Sequence, residues 1–395
     1  MDLPLAGIRV LDLTRALSGP YCTMLLGDHG ADIVKIEKPG RGDDTRHQGN
    51  PRLGDENSAF LAVNRNKKSV TVDLRTPQGV DIIRRLATES DVVVENFRPG
   101  TTDRMGIGWE DLKKINPRLV YCSISGWGGD GPYAARGGYA STAEAAAGLM
   151  SVTGERGGAP VKVGVSIIDT LTGLFAKDAV TSALLAREKS GEGQKVEVSL
   201  LESTVSILTM TAAAYLMGGV VAEAWGSEHE WNVPWKTYKT SDGYLVIASS
   251  SEQQWVKICA GMGREDLIDD ERFASMAARL ANRDELNELM DGILATRPTA
   301  EWERIFDETG AAVAPVNRID QVFKDPQVLH RQMLQSVEHQ TLGQIPQVGH
   351  AQKYFGSPLR IELPPPVLGA HTEEVLGTLG YSSEEIATLR EANAI

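Results

Sequence analysis

Cysteine is scarce. The chain carries three in 395 residues, Cys22, Cys122 and Cys259, far apart and without a Cys-x-x-Cys pair. That leaves no disulfide framework and no zinc pattern, and the three read as small buried hydrophobes. The seven histidines show no ligand spacing, so no metal is expected. No apolar run approaches the roughly 18–20 residues of a membrane helix. The start, Met-Asp-Leu-Pro-Leu-Ala-Gly, has no basic segment followed by an apolar stretch. A soluble, reduced, cytoplasmic protein with no membrane partner is the expectation. Cations are the minority charge, 40 against 53 anions for a net −13, which argues against a nucleic-acid partner. The 40 glycines do not fall in Gly-X-Y triplets, so collagen is excluded. Hydrophobic residues at 42% and charged residues at 24% exclude wholesale disorder. The length allows roughly two to four domains.

What is present alternates. Ile8–Leu13 reads as a strand, and Ser18-Gly19-Pro20 starts a helix, with serine as cap and proline in the first turn. Gly30 ends it. Further strands read at Ala31–Glu37, Val70–Leu74, Asp91–Glu95, Leu119–Ser125, Val161–Val165 and Lys195–Leu200. Between them lie a helix starting at Thr76-Pro77, with Val80, Ile83 and Ala87 on one face, and another from Thr170 to Glu188. This alternation predicts βαβ units and a parallel sheet. Near residue 220 the pattern changes. Trp225–Pro234 reads as a connection, and Asp242-Gly243 as a turn before a strand at Tyr244–Ser249. Helices follow at Gln253–Gly261, Ser275–Ala295 and Thr299–Glu308, so a second, smaller domain is expected. Pro364-Pro365-Pro366 reads as a rigid link, and helix returns from Thr372.

Several catalytic signatures are missing. The turn Arg15–Pro20 has one glycine where a dinucleotide fingerprint has three. Ser125 lacks the leading glycine of Gly-x-Ser-x-Gly. There is no His-Glu-x-x-His, P-loop or EF-hand loop. What remains is the placement of charge. Lys38 and Arg41 follow the second strand in a glycine-bearing loop, and Arg98 and Arg104 follow the fourth. Open α/β sheets bind ligands at that carboxyl edge, so four cations there, in an acidic chain, predict an anionic ligand. Asp169 stands where a helix begins, ahead of apolar Leu171, Leu174, Phe175, Val180 and Leu184. It fits an N-cap. It equally fits a covalent nucleophile, kept ionised by the helix dipole and free N–H groups.

In chain order, a set of segments resembles the class III CoA-transferases, the family of formyl-CoA transferase, crotonobetainyl-CoA:carnitine CoA-transferase and α-methylacyl-CoA racemase. The first are Ser18-Gly19-Pro20, Leu26–Glu37 with Pro39-Gly40 and Gly42-Asp43, and Asn66–Val70 with Asp73-Leu74. Glu95–Gly100 with Asp103–Gly106, Ser123–Gly131, Gly164–Asp169 with Thr172-Gly173, Gly191–Gln194 and Pro366–Leu376 complete the set. The resemblance spans nearly the whole chain. It implies an α/β fold, with a Rossmann-like large CoA-binding domain built from both chain ends, 1–224 and 326–395, and a smaller α+β domain over 225–325. It also implies an interlocked homodimer. Asp169 becomes the nucleophile. CoA, a substrate rather than a tightly bound cofactor, is expected at Leu17, Ser18, Lys38, Val72, Asp73, Leu74 and Arg75. The same resemblance places it at Asn96, Phe97, Arg98, Arg104, Arg136, Gly137, Gly138 and Tyr139.

Two departures narrow the activity. Gly138-Tyr139-Ala140 stands where many members have Gly-Tyr/Phe-Asp, and no histidine lies between His47 and His229. That removes one base of a racemase pair. Ser249–Glu252 replaces the glycine-rich flap of formyl-CoA transferase. The expected activity is CoA transfer from a short acyl-CoA, such as succinyl-CoA, to a small carboxylic acid, through an aspartyl mixed anhydride and an aspartyl-CoA thioester. A 2-methylacyl-CoA racemase and a non-catalytic CoA-binding homologue are the alternatives. The segment from Gly226 to Tyr244 resembles the dicarboxylate-using members, with His229, Arg46 and Lys236 as candidates for a distal carboxylate.

Overall fold

The computed structural model describes residues 1–49 and 51–395. They divide into two compact units, Met1–Leu149, Lys162–Val220 and Gln327–Ile395 in the larger, Met150–Val161 and Val221–Pro326 in the smaller. The smaller unit thus takes in Met150–Val161, a segment that the sequence reading left with the larger.

The strands of the larger unit are β1 (Arg9–Asp12), β2 (Asp32–Glu37), β3 (Lys67–Thr71), β4 (Val92–Glu95), β5 (Val120–Ser125) and β6 (Lys195–Ser199). They form one sheet in the order β3-β2-β1-β4-β5-β6, and every pairing is parallel. This is the strand order of doubly wound α/β sheets, which open a crevice where the order reverses, here between β1 and β4. The helices used below are α1 (Ser18–Asp28), α2 (Pro77–Thr88), α3 (Ala140–Ala146), α4 (Ile167–Ser190), α5 (Leu200–Ile207) and α6 (Thr209–Gly218).

Both faces of the sheet are covered, which is why Val92–Val94 is apolar at every position. On one face Val10 and Val94 pack with Cys22 and Leu26 of α1 and with Ala176 and Val180 of α4. On the other, Leu11 and Val93 meet Ile82 and Ile83 of α2, together with Leu376 and Ile386 from the end of the chain. Helices α1 and α4 come close together at Gly173, where a Cβ would stand 2.6 Å from the Ser18 carbonyl oxygen. Among the described residues no single helix is long and apolar enough to cross a membrane.

The smaller unit has an antiparallel sheet of β7 (Trp235–Lys239), β8 (Tyr244–Ala248) and β9 (Val313–Pro315), with β8 in the centre. Helices Glu252–Met262, Arg283–Leu294 and Thr299–Thr309 enclose a core containing Tyr238, Leu245, Trp255, Leu286 and Phe306.

The structure departs from the sequence reading in five places. Val161–Val165 is not a strand; the run is mostly exposed, and its Val163 N–H goes to the Glu144 carboxylate rather than to a sheet neighbour. The α1 cap position is Leu17, without a side-chain bond, and Ser18 lies inside the helix. Helix α4 starts at Ile167, so Ser166 is the cap residue and Asp169 sits in the first turn. The run Ser275–Ala295 is two helices broken at Asn282. The Asn282 side chain donates to the Arg272 and Ala278 carbonyls and so competes with the helical ladder. Finally, β3 begins at Lys67, earlier than the apolar pattern suggested.

Lys67 can start a strand because its charge is paired inside the protein. Neither Lys67 nor Asp12 has exposed surface. Lys67 Nζ lies 3.2 Å from Asp12 Oδ2 and donates to Pro20 O at 2.8 Å and Asn64 Oδ1 at 2.9 Å. Lys35 Nζ donates to Asp43 Oδ2 at 3.0 Å and to Thr14 O at 2.9 Å. Arg46 spans Glu37 at 2.8 Å and Glu56 at 3.0 Å, with Phe60 packed against its guanidinium. Removing one member of a buried pair strands the other charge, at a cost of about 3–5 kcal/mol. Lys67→Met is therefore expected to lower the unfolding free energy by that amount, read as a lower urea midpoint. A loss of less than about 1 kcal/mol would mean that Asp12 is satisfied without Lys67.

Candidate active site

The loops leaving β1 and β4 part at the sheet reversal, and each is pinned. Arg15 N–H donates to Asn96 Oδ1 at 2.9 Å, and Asn96 Nδ2 returns a bond to Arg15 O at 2.7 Å. Ala16 follows at φ 66°, a left-handed conformation that costs an alanine roughly 1–2 kcal/mol. Its N–H points to Asp43 Oδ1 at 3.3 Å. Burial pushes the Asp43 carboxyl up, but Lys35 and the Thr45 N–H outweigh it and hold the group at about 2. On the other side Glu95, at the end of β4, accepts the Phe97 N–H at 2.8 Å and the Ser123 hydroxyl.

Two cavities open on these loops and share Arg15, Asp44 and Phe97. The first has a volume of about 420 Å³. Lys38, Val72, Asp73, Leu74 and Arg75, all expected on the ligand, line it, and Arg41 joins them. Arg75 is not a free cation there, since its guanidinium donates to Asp73 Oδ2 at 2.6 Å, a bond that holds the Asp73 carboxyl at about 2. The second cavity has a volume of about 370 Å³. It collects Ser18, Asn96, Phe97, Arg98, Arg136, Gly137, Gly138, Tyr139 and Asp169. Its wall depends on a backbone contact, because a Cβ on Gly126 would lie 2.8 Å from the Gly138 Cα. Leu17 and Arg104 line neither cavity. Leu17 is the cap residue of α1, and Arg104 is exposed and donates to Thr101 Oγ1 at 3.1 Å.

Asp169 is half-buried in the first turn of α4. Its carboxylate has no hydrogen-bond partner among the described residues. The sequence reading expected the helix dipole and free N–H groups to keep it ionised. Burial pushes the carboxyl up, the charge of Glu144 adds to this, and it reaches about 6, so it ionises at neutral pH but less readily than an ordinary aspartate. Desolvation outweighs the dipole because no N–H or cation compensates it. A cation-lined cavity joined to one that holds an uncoordinated carboxylate can bind a polyanion at one end and present a nucleophile at the other.

None of the candidates for a distal carboxylate is a free cation. Arg46 is buried and engaged by Glu37 and Glu56. Lys236 pairs with Asp291 at 2.6 Å, and His229 packs against Trp231 and Trp235. Ser249–Ser251 is a helix cap, with Ser249 N–H donating to Pro234 O and the Ser251 hydroxyl accepting from Gln254 N–H. Sequence reasoning missed Arg15, Asp44 and Glu144. The only local signal for Arg15 is its place directly after a strand.

The family model of CoA-transferase family III matches residues 5–372. Among similar proteins, a succinyl-CoA:glutarate CoA-transferase of Mus musculus is 44% identical over 373 residues, 94% of this chain and 86% of that protein. A succinate–glutarate CoA-transferase of Agrobacterium fabrum is 38% identical over 387 residues, 95% of this chain and 96% of that one. A crystal structure of a CAIB/BAIF family protein from Brucella suis superposes with a TM-score of 0.88 at 36% identity, covering 96% of this chain and 100% of that chain. The matches run through both cavities and Asp169, and the chain belongs to the family III CoA-transferases.

Proposed function

We propose that this CoA-transferase moves CoA from succinyl-CoA to a small dicarboxylic acid of the glutarate type, with Asp169 as the covalent nucleophile. The substrate pair is drawn from the names of the similar proteins. The chemistry rests on one observation: the uncoordinated Asp169 carboxylate lines a cavity that shares Arg15, Asp44 and Phe97 with a cavity lined by Lys38 and Arg41. In this reading CoA lays its phosphates toward Lys38 and Arg41, its neutral pantetheine arm past Asn96 and Phe97, and its thioester beside Asp169. Arg98 and Arg136 have no acidic partner among the described residues and line the Asp169 cavity. They supply positive charge where a dicarboxylate's distal group must be neutralised.

The steps balance without an added acid, metal or oxidant. The Asp169 carboxylate attacks the succinyl thioester carbonyl, the C–S bond breaks, and a succinyl-aspartyl anhydride and CoA thiolate result. The thiolate attacks the Asp169 carbonyl of the anhydride, which forms the aspartyl-CoA thioester and releases succinate. A carboxylate of the acceptor then attacks that thioester to give a second anhydride and thiolate. Attack of the thiolate on the acceptor carbonyl yields the new acyl-CoA and frees Asp169. Every step exchanges a carboxylate and the CoA thiolate at a carbonyl, so positioning and stabilisation of the oxyanions carry the catalysis. A carboxyl near 6 is still ionised at neutral pH and is more basic than an ordinary aspartate.

The same reading makes the larger unit a Rossmann-like CoA-binding domain in a cytoplasmic, interlocked homodimer. The three unpaired, buried cysteines suit a reducing compartment. Support for a second copy comes from α6, which buries none of its residues although Met210, Tyr215, Leu216 and Met217 are all exposed on it. An apolar helix left open in this way marks an interface.

Four outcomes are expected. In a panel of acyl-CoA donors and carboxylic acids read by mass spectrometry, succinyl-CoA with a short dicarboxylate gives the highest kcat/KM; preference for a long-chain acyl-CoA would overturn the substrate assignment. Asp169→Ala abolishes transfer while its melting temperature stays near wild type. In the parent enzyme, kcat/KM for the acyl-CoA falls as pH drops through about 6, because only the ionised carboxyl attacks. Transfer in Asp169→Ala within about tenfold of wild type would reject the nucleophile. Lys38→Ala weakens CoA binding by about 1–3 kcal/mol, the scale of a charged hydrogen bond. Unchanged affinity by calorimetry would remove the phosphates from that cavity.

A further inference from the structure

Glu144 takes no part in the steps above, yet its placement is unusual. It is 2% exposed and lies on α3, the helix that begins at the cavity-lining Ala140. A buried carboxylate is costly unless bonded. Glu144 Oε2 accepts the Val163 N–H at 3.2 Å, and no lysine or arginine pairs with it among the described residues. Val163 belongs to the irregular segment that leads into α4, where Gly164, Val165 and Ser166 are exposed and carry no sheet bonds. One buried carboxylate thus ties the helix behind the cavity wall to the stretch of chain that delivers Asp169.

The same carboxylate acts electrostatically. Arg15, Asp44, Arg98 and Arg136 line the Asp169 cavity together with Tyr139. Tyr21 stands on α1, and Glu202 on α5 bonds its own cap residue, Ser199. Against this background Glu144 is the neighbouring charge that adds to burial in raising the Asp169 carboxyl. A buried like charge is poorly screened by salt and disfavours ionisation of its neighbour.

We propose that Glu144 is a positioning residue for the transfer site: it fixes the segment that carries Asp169 and keeps a negative charge beside that carboxylate, which stays uncoordinated and strongly nucleophilic. The proposal rests on the reading of Asp169 as the nucleophile. It separates two effects that two variants can isolate. Glu144→Gln keeps an acceptor for the Val163 N–H and removes the charge, whereas Glu144→Ala removes both.

The test uses the full chain. The Asp169 carboxyl is titrated by infrared difference spectroscopy with ¹³C-aspartate, Asp169→Asn serving as the blank, and kcat and KM are followed across pH. Glu144→Gln is expected to move the Asp169 midpoint to lower pH, the acid limb of kcat/KM moving with it, while KM for the acyl-CoA stays within about twofold. Glu144→Ala is expected to lose at least about tenfold in kcat at alkaline pH, where Asp169 is fully ionised, and Glu144→Gln to recover most of that loss. An unmoved midpoint in Glu144→Gln overturns the electrostatic role. Wild-type kcat in Glu144→Ala overturns the positioning role. The spectrum reads the carboxyl whether or not the enzyme turns over. An active Asp169→Asn enzyme would thus discard the nucleophile while the spectral shift still judges Glu144.

Discussion

Lys67 and Asp12 face each other with no exposed surface, and the loops of the site inherit their positions from how such charges are satisfied. Asp12 also accepts from Thr14 and Thr23, while Lys67 donates to the Pro20 carbonyl in the first turn of α1. One ion pair therefore joins β1, β3 and α1 where β1 gives way to its loop. The second pair continues outward, since Lys35 holds Thr14 O and Asp43, and Asp43 holds the strained Ala16. A buried ion costs several kcal/mol unless its bonds are nearly complete. Alternative loop paths would leave charges unpaired, and that penalty selects the geometry in which Arg15 and Asn96 meet across the crevice.

The site separates two kinds of carboxylate. Those of the buried lattice are saturated with cations and N–H groups, and Asp43 is held at about 2. Asp169 has neither kind of partner, borders a like charge and rises to about 6. Environment alone divides one side-chain type into structural acids held strongly ionised and the proposed nucleophile, whose carboxyl is raised toward neutral pH. The first cavity repeats the distinction among cations: Arg75 is tied to Asp73, while Lys38 and Arg41 line the space without a bond of that strength.

Surface left uncovered matters as much as surface buried. Helix α4 runs from the site for 24 residues, with Gly173 permitting a close approach to α1 and Leu174, Phe175 and Leu185 exposed along its length. Farther along the chain, no residue of α6 is fully buried. The helix that carries Asp169 thus has apolar side chains that the larger unit does not cover by itself.

Much of the larger unit was legible locally. Apolar runs bounded by turns located the strands around Val10, Val34, Val93 and Cys122, because a strand covered on both faces must be apolar throughout. Cations after successive strands marked the carboxyl edge, and the family resemblance singled out Asp169. Other features depended on partners distant in sequence. The start of β3 was hidden because Lys67 reads as surface until Asp12 neutralises it. Val161–Val165 alternates like a strand, but its Val163 N–H is taken by the Glu144 carboxylate instead of a sheet neighbour. Arg15 gains its place only through Asn96, and Glu144 only through Val163. The sequence by itself determined which segments form the sheet's strands, which edge carries positive charge and which aspartate is the nucleophile candidate, since periodicity and motif order are properties of neighbours along the chain. Tertiary structure alone decided which charges are free and how strongly Asp169 holds its proton, because desolvation and pairing depend on groups brought together from far along the chain.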